Sequence, residues 1–142
     1  PDCSLRAVDD SRSYALRELH GQVVWVDFWA SWCGTCVEAV PFLNGLERDF
    51  GARGLAVLGI NLDEDRQDAL DFLAKYPARF AQAADAAGDC PRSFGVETMP
   101  ASYLIDRQGV IRHVHAGFRP GEAAKLRALV SEILAESPGE ER

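Results

Sequence analysis

A pair of cysteines three positions apart follows a strand-like apolar run, and this order constrains the fold more than any other feature. The run Val23–Trp29 is apolar except for Asp27, which is typical of a strand buried within a sheet. Cys33 and Cys36 come next, and the apolar spacing after them predicts a helix that ends near Phe50. A Cys-x-x-Cys pair at a strand-to-helix junction lies where the helix N-terminus stabilises a thiolate. The chain is therefore expected to carry a reversible dithiol on a β-α unit.

The rest of the chain alternates between strand-like and helix-like segments. Residues 4–8 and 13–16 flank a turn-like cluster and predict an N-terminal hairpin. The later segments predict, in chain order, helix 34–50, strand 55–61, helix 65–76 with Leu70 and Leu73 inward, strand 78–83, helix 89–94, strands 101–106 and 110–116, and helix 121–136. The early β-α-β units require parallel pairing, and the final hairpin adds antiparallel strands. The predicted fold class is α/β, with a central mixed β-sheet flanked by helices.

Size, composition and charge limit the number of domains and the kinds of partner. With 142 residues, 47% of them hydrophobic, the chain is long enough for one domain with a real core, and we expect residues 1–142 to form it. A net charge of −7 offers no electrostatic basis for binding nucleic acid or an anionic membrane surface. The sequence contains no run of about 20 apolar residues that could span a bilayer.

The two ends of the chain carry expectations of their own. Because the chain begins at Pro1 and not at methionine, we expect a mature fragment whose leader has been removed. Residues 137–142 are small or charged, and we expect this tail to fray.

Several motifs together resemble the thioredoxin superfamily. They are residues 26–36, Pro41 and the tripeptide Thr98-Met99-Pro100. Four further segments are similar to the TlpA/ResA-like branch of that superfamily: residues 1–5, an insertion around residues 63–83, residues 103–106 and residues 109–111. The resemblance covers nearly the whole chain and implies a thioredoxin fold with an N-terminal hairpin extension (residues 1–20) and a central insertion. It also implies thiol-disulfide oxidoreductase activity, often outside the cytoplasm.

The two cysteines of the motif have distinct expected roles. Cys33 is the expected nucleophile, because unpaired N–H groups and the dipole at the helix N-terminus favour its thiolate. Cys36, one helical turn on and more buried, is the expected resolving thiol that attacks the mixed disulfide. Both sulfurs are expected to face the outside. One alternative is a permanent structural disulfide, but the loop that it would close is too small to stabilise the fold much. The other is half of a zinc site, but no second Cys-x-x-Cys or His pair lies beside the motif.

Gly34 and Thr35 separate the two cysteines and are expected to tune their reduction potential. Many members of the thioredoxin superfamily carry proline where this chain has Thr35, so the threonine departs from the resemblance. It adds a hydroxyl group and frees a backbone N–H close to the sulfurs. The alternative is a neutral variant that leaves the potential unchanged.

Asp27 is the one ionisable residue in the apolar strand. Burial raises the pKa of a carboxyl group, and such a group can exchange protons with Cys36 during the reaction. The position matches the buried acid of thioredoxin, whereas many TlpA-like chains have asparagine there. The alternative is an acid that faces solvent at the end of the sheet.

A second acidic residue is expected to lack the role that the resemblance would give it. TlpA/ResA-like proteins often have a glutamate three residues after the second cysteine, and that position is Ala39 here. Glu38 lies one residue earlier, about 100° away around the helix. Glu38 is therefore expected to be a solvated helix residue.

The dipeptide Met99-Pro100 resembles the cis-proline loop of the thioredoxin superfamily. In that family the loop faces the cysteines, and its backbone pairs with an extended substrate segment in the manner of an added strand. The alternative is an ordinary trans turn. Trp32 is expected to offer the substrate an apolar surface beside Cys33, whereas Trp29 is expected to be a packing residue.

Two cysteines and two histidines lie outside the motif. Cys3 and Cys90 could form a structural disulfide that pins the N-terminal hairpin to the segment before Phe94, or they could be two separate buried thiols. Sequence alone does not decide between these alternatives, because pairing requires that the two Cβ atoms approach. His113 and His115 alternate on one strand face, but two ligands alone make a weak site, and we expect no metal site.

The residues and the resemblance together predict an enzyme that exchanges disulfides and thiols with protein substrates, as a reductant. No cofactor is expected, because the cysteine pair is itself the redox couple. The expected partners are those substrates and a membrane electron donor of the disulfide-reductase type, with no nucleic acid, and the protein is expected to be a monomer. The expected location is extracytoplasmic, in the bacterial periplasm rather than the cytoplasm. The alternatives are a disulfide oxidase or isomerase, and a protein whose dithiol handles Cu(I).

Overall fold

A computed structural model describes residues 2–85 and 87–136, and within them the chain forms seven strands and four α-helices. The strands are β1 (Ser4–Ala7), β2 (Ser13–Ala15), β3 (Val23–Trp29), β4 (Leu55–Asn61), β5 (Ala81–Ala84), β6 (Ala101–Ile105) and β7 (Ile111–Ala116). The helices are α1 (Cys36–Phe50), α2 (Arg66–Lys75), α3 (Asp89–Phe94) and α4 (Ala123–Ala135). The tail that the sequence predicts to fray, residues 137–142, lies outside the described residues. None of the helices in the described ranges is both long enough and apolar enough to cross a membrane.

All seven strands pair in one mixed sheet, in the order β2-β1-β5-β4-β3-β6-β7. The neighbours β3, β4 and β5 are parallel, because α1 and α2 carry the chain back to the starting end of the sheet between them. Strand β6 runs antiparallel to β3, and β7 runs antiparallel to β6. This topology confirms the predicted α/β fold with a central mixed sheet flanked by helices.

The predicted N-terminal hairpin is present, and it joins the sheet through the insertion. Strands β1 and β2 pair antiparallel, and β1 continues against β5, the strand that the insertion contributes. A disulfide joins Cys3, just before β1, to Cys90 in α3, with their Cα atoms 5.2 Å apart. Of the two alternatives for these cysteines, the structure contains the bridge.

Side chains of the central strand β3 alternate between two hydrophobic clusters. One side packs against α1 and α4, in a cluster that includes Val23, Trp25, Leu43, Leu46, Leu126 and Val130. The other side packs towards the hairpin and α3, in a cluster that includes Val24, Val26, Phe28, Leu5, Leu58, Cys90 and Tyr103. All seven residues of β3 are buried, because the sheet is covered on both faces at this point. The run therefore lacks the polar alternation of a half-exposed strand.

Among the element boundaries that differ from the predicted ones, two have clear local reasons. Helix α1 begins at Cys36 rather than near residue 34, because the preceding residues form a turn in which the Cys36 N–H donates to the Cys33 carbonyl (3.1 Å). Strand β5 begins at Ala81 rather than at residue 78. The side-chain amide of Asn44 bonds the backbone of residues 77 and 79 and holds that segment as a loop.

Helix α2 buries a face one position away from the predicted one. Ala69 and Phe72 are its buried residues, whereas the predicted Leu70 and Leu73 are half-buried. The helix begins where the Asp65 side chain accepts a hydrogen bond from the Gln67 N–H (2.8 Å). This orientation turns Phe72 towards the cysteine motif.

Candidate active site

The cysteine pair lies in the turn between β3 and α1. Cys33 and Cys36 are joined in a disulfide, with their Cα atoms 5.4 Å apart. The Cys33 N–H donates to the Ala30 carbonyl (3.1 Å), which keeps the turn close to the end of β3. Cys36 is the first residue of α1, so the positive end of the helix dipole lies at the pair.

The N–H groups at the start of α1 are not unpaired, contrary to the sequence-based expectation. Those of Cys36, Val37 and Glu38 donate to the carbonyl oxygens of residues 33, 34 and 35, at 3.1, 3.4 and 3.2 Å. Hydrogen bonds between residues three positions apart, as in a 3₁₀ turn, commonly close the first turn of a helix. For these three groups the expectation is wrong, whereas the helix dipole can still stabilise a thiolate at Cys33.

Both cysteines of the pair are less exposed than the sequence predicts. Cys33 is 7% exposed and Cys36 is 3% exposed, so the expectation that both sulfurs face the outside is wrong for the disulfide form. The pair packs in a cluster with Trp29, Ala69 and Phe72, and the last two belong to α2. Cys33 nevertheless lines an open groove on the surface, and Cys36 is the more buried of the two.

The groove beside Cys33 has one wall from the motif and one from α2. Trp32 stands on the motif side and is 68% exposed. The wall from α2 and the residue after it consists of Asp68, Asp71, Phe72, Lys75 and Tyr76. Two acidic side chains and one basic side chain line the groove, so its charge is net negative. A substrate-binding role for Trp32 stays a prediction.

One of the two residues between the cysteines touches a reactive sulfur. The Thr35 Oγ1 atom lies 3.8 Å from Cys33 Sγ, within reach of a weak hydrogen bond to sulfur. Gly34 is exposed, and a Cβ atom placed on it would meet nothing within 4 Å, so no close packing requires glycine there. Tuning of the reduction potential by these residues stays a prediction, supported by a contact for Thr35 alone.

Asp27 is a buried acid on β3, with 4% of its surface exposed, and not the solvent-facing acid of the alternative. Ser102, opposite it on β6, donates a hydrogen bond from Oγ to Asp27 Oδ1 (2.9 Å). Desolvation raises the pKa of Asp27 to about 7, against the lowering effect of the Ser102 hydrogen bond. Asp27 and Cys36 line the same small cavity. A proton-transfer role for Asp27 stays a prediction that this geometry supports.

Replacing Asp27 by asparagine is expected to remove a pH dependence of stability. The pKa is about 7 in the folded protein against 3.8 for an unperturbed aspartate, so the folded state holds the proton between these values and loses stability as the pH rises through them. Above about pH 7 the parent should be less stable than Asp27→Asn by at most about 4 kcal/mol, and the gap should shrink towards about pH 4. Urea unfolding of both oxidised proteins measures the gap. A gap that does not change with pH contradicts the assignment.

The Met99-Pro100 loop lies against the dithiol. Met99 packs on the cluster that contains Cys33 and Cys36. Pro100 is buried, the peptide bond that precedes it is cis, and its carbonyl accepts a hydrogen bond from the Gly117 N–H (2.7 Å). A role of this loop in substrate binding stays a prediction.

Trp29 and Glu38 lie near the motif, the first buried and the second exposed. Trp29 is 4% exposed, its ring centroid lies 4.7 Å from that of Phe72, and its indole N–H donates to Gln82 Oε1 (2.9 Å). Glu38 is exposed on α1, whereas Ala39 is buried in the core. These positions agree with a packing role for Trp29 and a solvated Glu38.

His113 and His115 lie side by side on β7, with ring centroids 5.9 Å apart. His115 Nε2 lies 3.1 Å from Glu122 Oε1. Burial lowers the pKa of His113, and the nearby His115 and Lys125 lower it further. In the part of the chain that the structure describes, no group of three or more His, Cys, Asp or Glu side chains is arranged to hold a metal ion.

Sequence reasoning missed two polar side chains that contact the site. Ser102 bonds Asp27, and Asp63 bonds Ser31, which precedes Cys33 by two residues. Asp63 could have been found, because it follows β4, and the carboxyl ends of neighbouring parallel strands meet at one edge of the sheet. Ser102 could not, since its position depends on the register between β3 and β6.

The cysteine pair at the strand-to-helix junction of this mixed sheet defines the structural class, a protein of the thioredoxin fold. The Redoxin family model matches residues 1–130. The chain belongs to the Redoxin family.

Two relatives whose names state thiol-disulfide chemistry are similar to this chain in sequence. The thiol:disulfide interchange protein DsbE of Pseudomonas fluorescens biotype C is 32% identical over 139 residues, which cover 93% of this chain and 76% of the relative. The thiol-disulfide oxidoreductase ResA of Bacillus thuringiensis subsp. konkukian is 28% identical over 102 residues, 72% of this chain, and the match spans 59% of the relative's length.

A solved structure extends the similarity to three dimensions. It belongs to a Chlorobium tepidum protein provisionally identified as thiol:disulfide interchange protein DsbE. That structure superposes with a TM-score of 0.90 at 40% identity, over 95% of this chain and 94% of the other. The chain is thus similar to DsbE-type and ResA-type proteins in sequence and to a DsbE-type protein in structure.

Proposed function

We propose that this protein is a thiol-disulfide oxidoreductase that acts on protein disulfides and thiols. The observation that carries the proposal is the bonded Cys33–Cys36 pair at the positive end of α1, with Cys33 open to a groove. A bridge across two intervening residues closes too small a loop to stabilise the fold much, so a purely structural use is disfavoured. The similarity to DsbE and ResA proteins supports the same chemistry.

The reaction consists of two successive thiol-disulfide exchanges. The Cys33 thiolate attacks one sulfur of a substrate disulfide, which forms a mixed disulfide and releases the other substrate sulfur as a thiolate. The Cys36 thiolate then attacks Cys33 Sγ and displaces the second substrate sulfur. Two electrons pass to the substrate, which takes up two protons and leaves as a dithiol, while the protein is left as the Cys33–Cys36 disulfide.

Asp27 is the proposed proton acceptor for Cys36. A resolving thiol must lose its proton before it attacks, and Cys36 is only 3% exposed, so bulk water has little access to it. Asp27 lines the same small cavity as Cys36, and a pKa of about 7 lets it take up and return a proton near neutral pH.

The residues around Cys33 are the proposed substrate contacts. Trp32 offers an exposed apolar surface on one side of Cys33, and Met99 and Pro100 form the loop on another. The loop backbone can pair with an extended substrate segment as an added strand would. Gly34 and Thr35 are the proposed residues that tune the potential of the pair.

The proposed direction of electron flow is towards the substrate, which makes the protein a reductant. Asp68 and Asp71 line the groove at Cys33, with Lys75 as the basic side chain of the same wall. A net negative setting disfavours a thiolate and therefore favours the disulfide form. A dithiol whose disulfide is favoured gives up its electrons more readily, and its reduction potential is more negative.

The proposed location is extracytoplasmic, in the bacterial periplasm. The Cys3–Cys90 bridge supports it, because structural disulfides persist in oxidising compartments. A reductant in such a compartment needs a steady supply of electrons, and a membrane protein of the disulfide-reductase type is the proposed donor. We propose further that residues 1–142 act as a monomer with one thioredoxin-like domain, of which residues 1–20 are the hairpin extension.

The reduction potential of the Cys33–Cys36 pair tests both activity and direction. Equilibration with oxidised and reduced dithiothreitol, followed by alkylation and mass spectrometry, measures it. We expect a reduction potential of about −270 mV, comparable to that of thioredoxin. We also expect the reduced protein to reduce insulin disulfides. A potential of about −120 mV would make the protein an oxidant. Failure of the reduced protein to act on insulin contradicts the exchange activity itself.

A further inference from the structure

Asp63 carries a buried carboxylate that takes no part in the proposed exchange steps. It follows β4 by two residues and is 5% exposed. Its Oδ2 accepts hydrogen bonds from the Ser31 N–H (2.9 Å) and the Asn61 side-chain amide (2.8 Å), and its Oδ1 accepts one from the Ser31 hydroxyl (2.9 Å). The Asp63 N–H donates in turn to Asn61 Oδ1 (3.0 Å). Both carboxylate oxygens are engaged, and two of these three side-chain bonds go to Ser31.

Ser31 belongs to the turn that leads to Cys33. Strands β3 and β4 pair up to their last residues, and one further bond runs from the Leu62 N–H to the Trp29 carbonyl (2.9 Å). Beyond this bond, the chain that leaves β3 is bonded through Ser31, whose N–H and hydroxyl groups donate to the Asp63 side chain. The position of the turn before the dithiol is therefore set by a residue of the insertion.

The hydrogen bonds are what keep this carboxylate buried. Removing an ionised carboxylate from water is costly unless hydrogen bonds or an opposite charge offset the loss. Among the ion pairs formed by the described residues, none involves Asp63. An apolar residue at this position would leave the Ser31 N–H without its partner, which destabilises the turn specifically.

We propose that Asp63 is a positioning residue for thiol-disulfide exchange, because its bonds to Ser31 hold the turn that presents Cys33 at the N-terminus of α1. In that position the helix dipole stabilises the Cys33 thiolate. A turn that is released from Asp63 lets the sulfur move away from the helix end, and a smaller fraction of the thiol is then ionised at a given pH. The inference rests on the proposed exchange function.

The test is the pH profile of Cys33 alkylation by iodoacetamide, in a Cys36→Ser background where Cys33 is the remaining motif thiol. Asp63→Ala is expected to slow alkylation roughly tenfold at about pH 6.5 and to move the profile to higher pH. The Cys33 thiolate is then no longer held at the helix N-terminus, where the dipole stabilises it. Asp63→Asn is expected to stay within about twofold of the parent, since its oxygen can accept from the Ser31 N–H and its amide can donate to the Ser31 hydroxyl. Glu64→Gln, an exposed neighbour that loses the same charge, is the control.

Two outcomes with the Asp63 variants overturn the inference. One is an Asp63→Ala profile that overlays the profile of the parent. The other is an Asp63→Asn profile displaced to higher pH as far as that of Asp63→Ala, because the hydrogen bonds to Ser31 that asparagine can keep would then make no difference. If circular dichroism shows that Asp63→Ala does not fold, Ser31→Ala replaces it, with an expected slowing of roughly threefold, and unchanged alkylation overturns the inference. A parent protein that fails to reduce insulin contradicts the proposed function instead, so the two failures are distinct.

Discussion

Replacing Cys33 by serine is expected to lower insulin reduction by at least about a thousandfold, because a hydroxyl group cannot replace the thiolate nucleophile. Cys36→Ser is expected to fail differently. Its Cys33 still attacks, but no second sulfur is present to displace the substrate, so the mixed disulfide accumulates. Mass spectrometry of the unreduced Cys36→Ser protein after contact with substrate should find the substrate bonded to Cys33.

The control for these variants is Cys3→Ala combined with Cys90→Ala, which removes two cysteines but leaves the motif intact. It should retain exchange activity at temperatures where it is folded. A double variant, Cys33→Ser with Cys36→Ser, that reduces insulin as fast as the parent would falsify the assignment of the redox couple.

Removal of the Cys3–Cys90 bridge is expected to cost about 4 to 5 kcal/mol of the free energy of unfolding. The bridge joins residues 87 positions apart, and closure of so long a loop restricts the unfolded chain more than the folded one. Cys90 is 0% exposed, so alanine also leaves unfilled space in the core beneath the hairpin. The effect should appear as a lower urea midpoint with a steeper slope, because the unfolded chain without the bridge exposes more surface.

Matched single variants separate the bond from the packing. Cys3→Ala and Cys90→Ala each break the same bond, so the double variant should be scarcely less stable than Cys90→Ala. Cys3→Ala keeps the buried Cys90 side chain, so the amount by which it is more stable than the double variant measures the packing. All proteins are compared with the Cys33–Cys36 pair oxidised. A loss below about 1 kcal/mol for the double variant contradicts the stabilising role of the bridge.

The fold could be predicted largely because its signals are local. The uninterrupted apolar run Val23–Trp29 marks the central strand, since both of its faces are covered. Turn residues flanked by extended segments likewise marked the hairpins β1–β2 and β6–β7. Cys33 and Cys36 lie within one stretch of chain with a strand before and a helix after, so the location of the dithiol was also a local property.

The parts of the site that escaped prediction depend on contacts between distant segments. Ser102 bonds Asp27 because of the β3–β6 register, which no short pattern encodes. The approach of Cys3 and Cys90 depends on how β1 packs near α3. The exposure of the dithiol was overestimated because Phe72 comes from α2, whose buried face differs by one position from the predicted face.

The most direct test of the central claim asks which of the two disulfides opens first under mild reduction. The folded protein is treated with about one equivalent of dithiothreitol, free thiols are alkylated, and the labelled peptides are identified by mass spectrometry. We expect label on Cys33 and Cys36 and none on Cys3 or Cys90. The motif bridge closes a small loop and its opening costs little stability, whereas opening the Cys3–Cys90 bridge forfeits the stabilisation of a long loop. Label on Cys3 and Cys90, with the motif pair still bonded, would contradict the account.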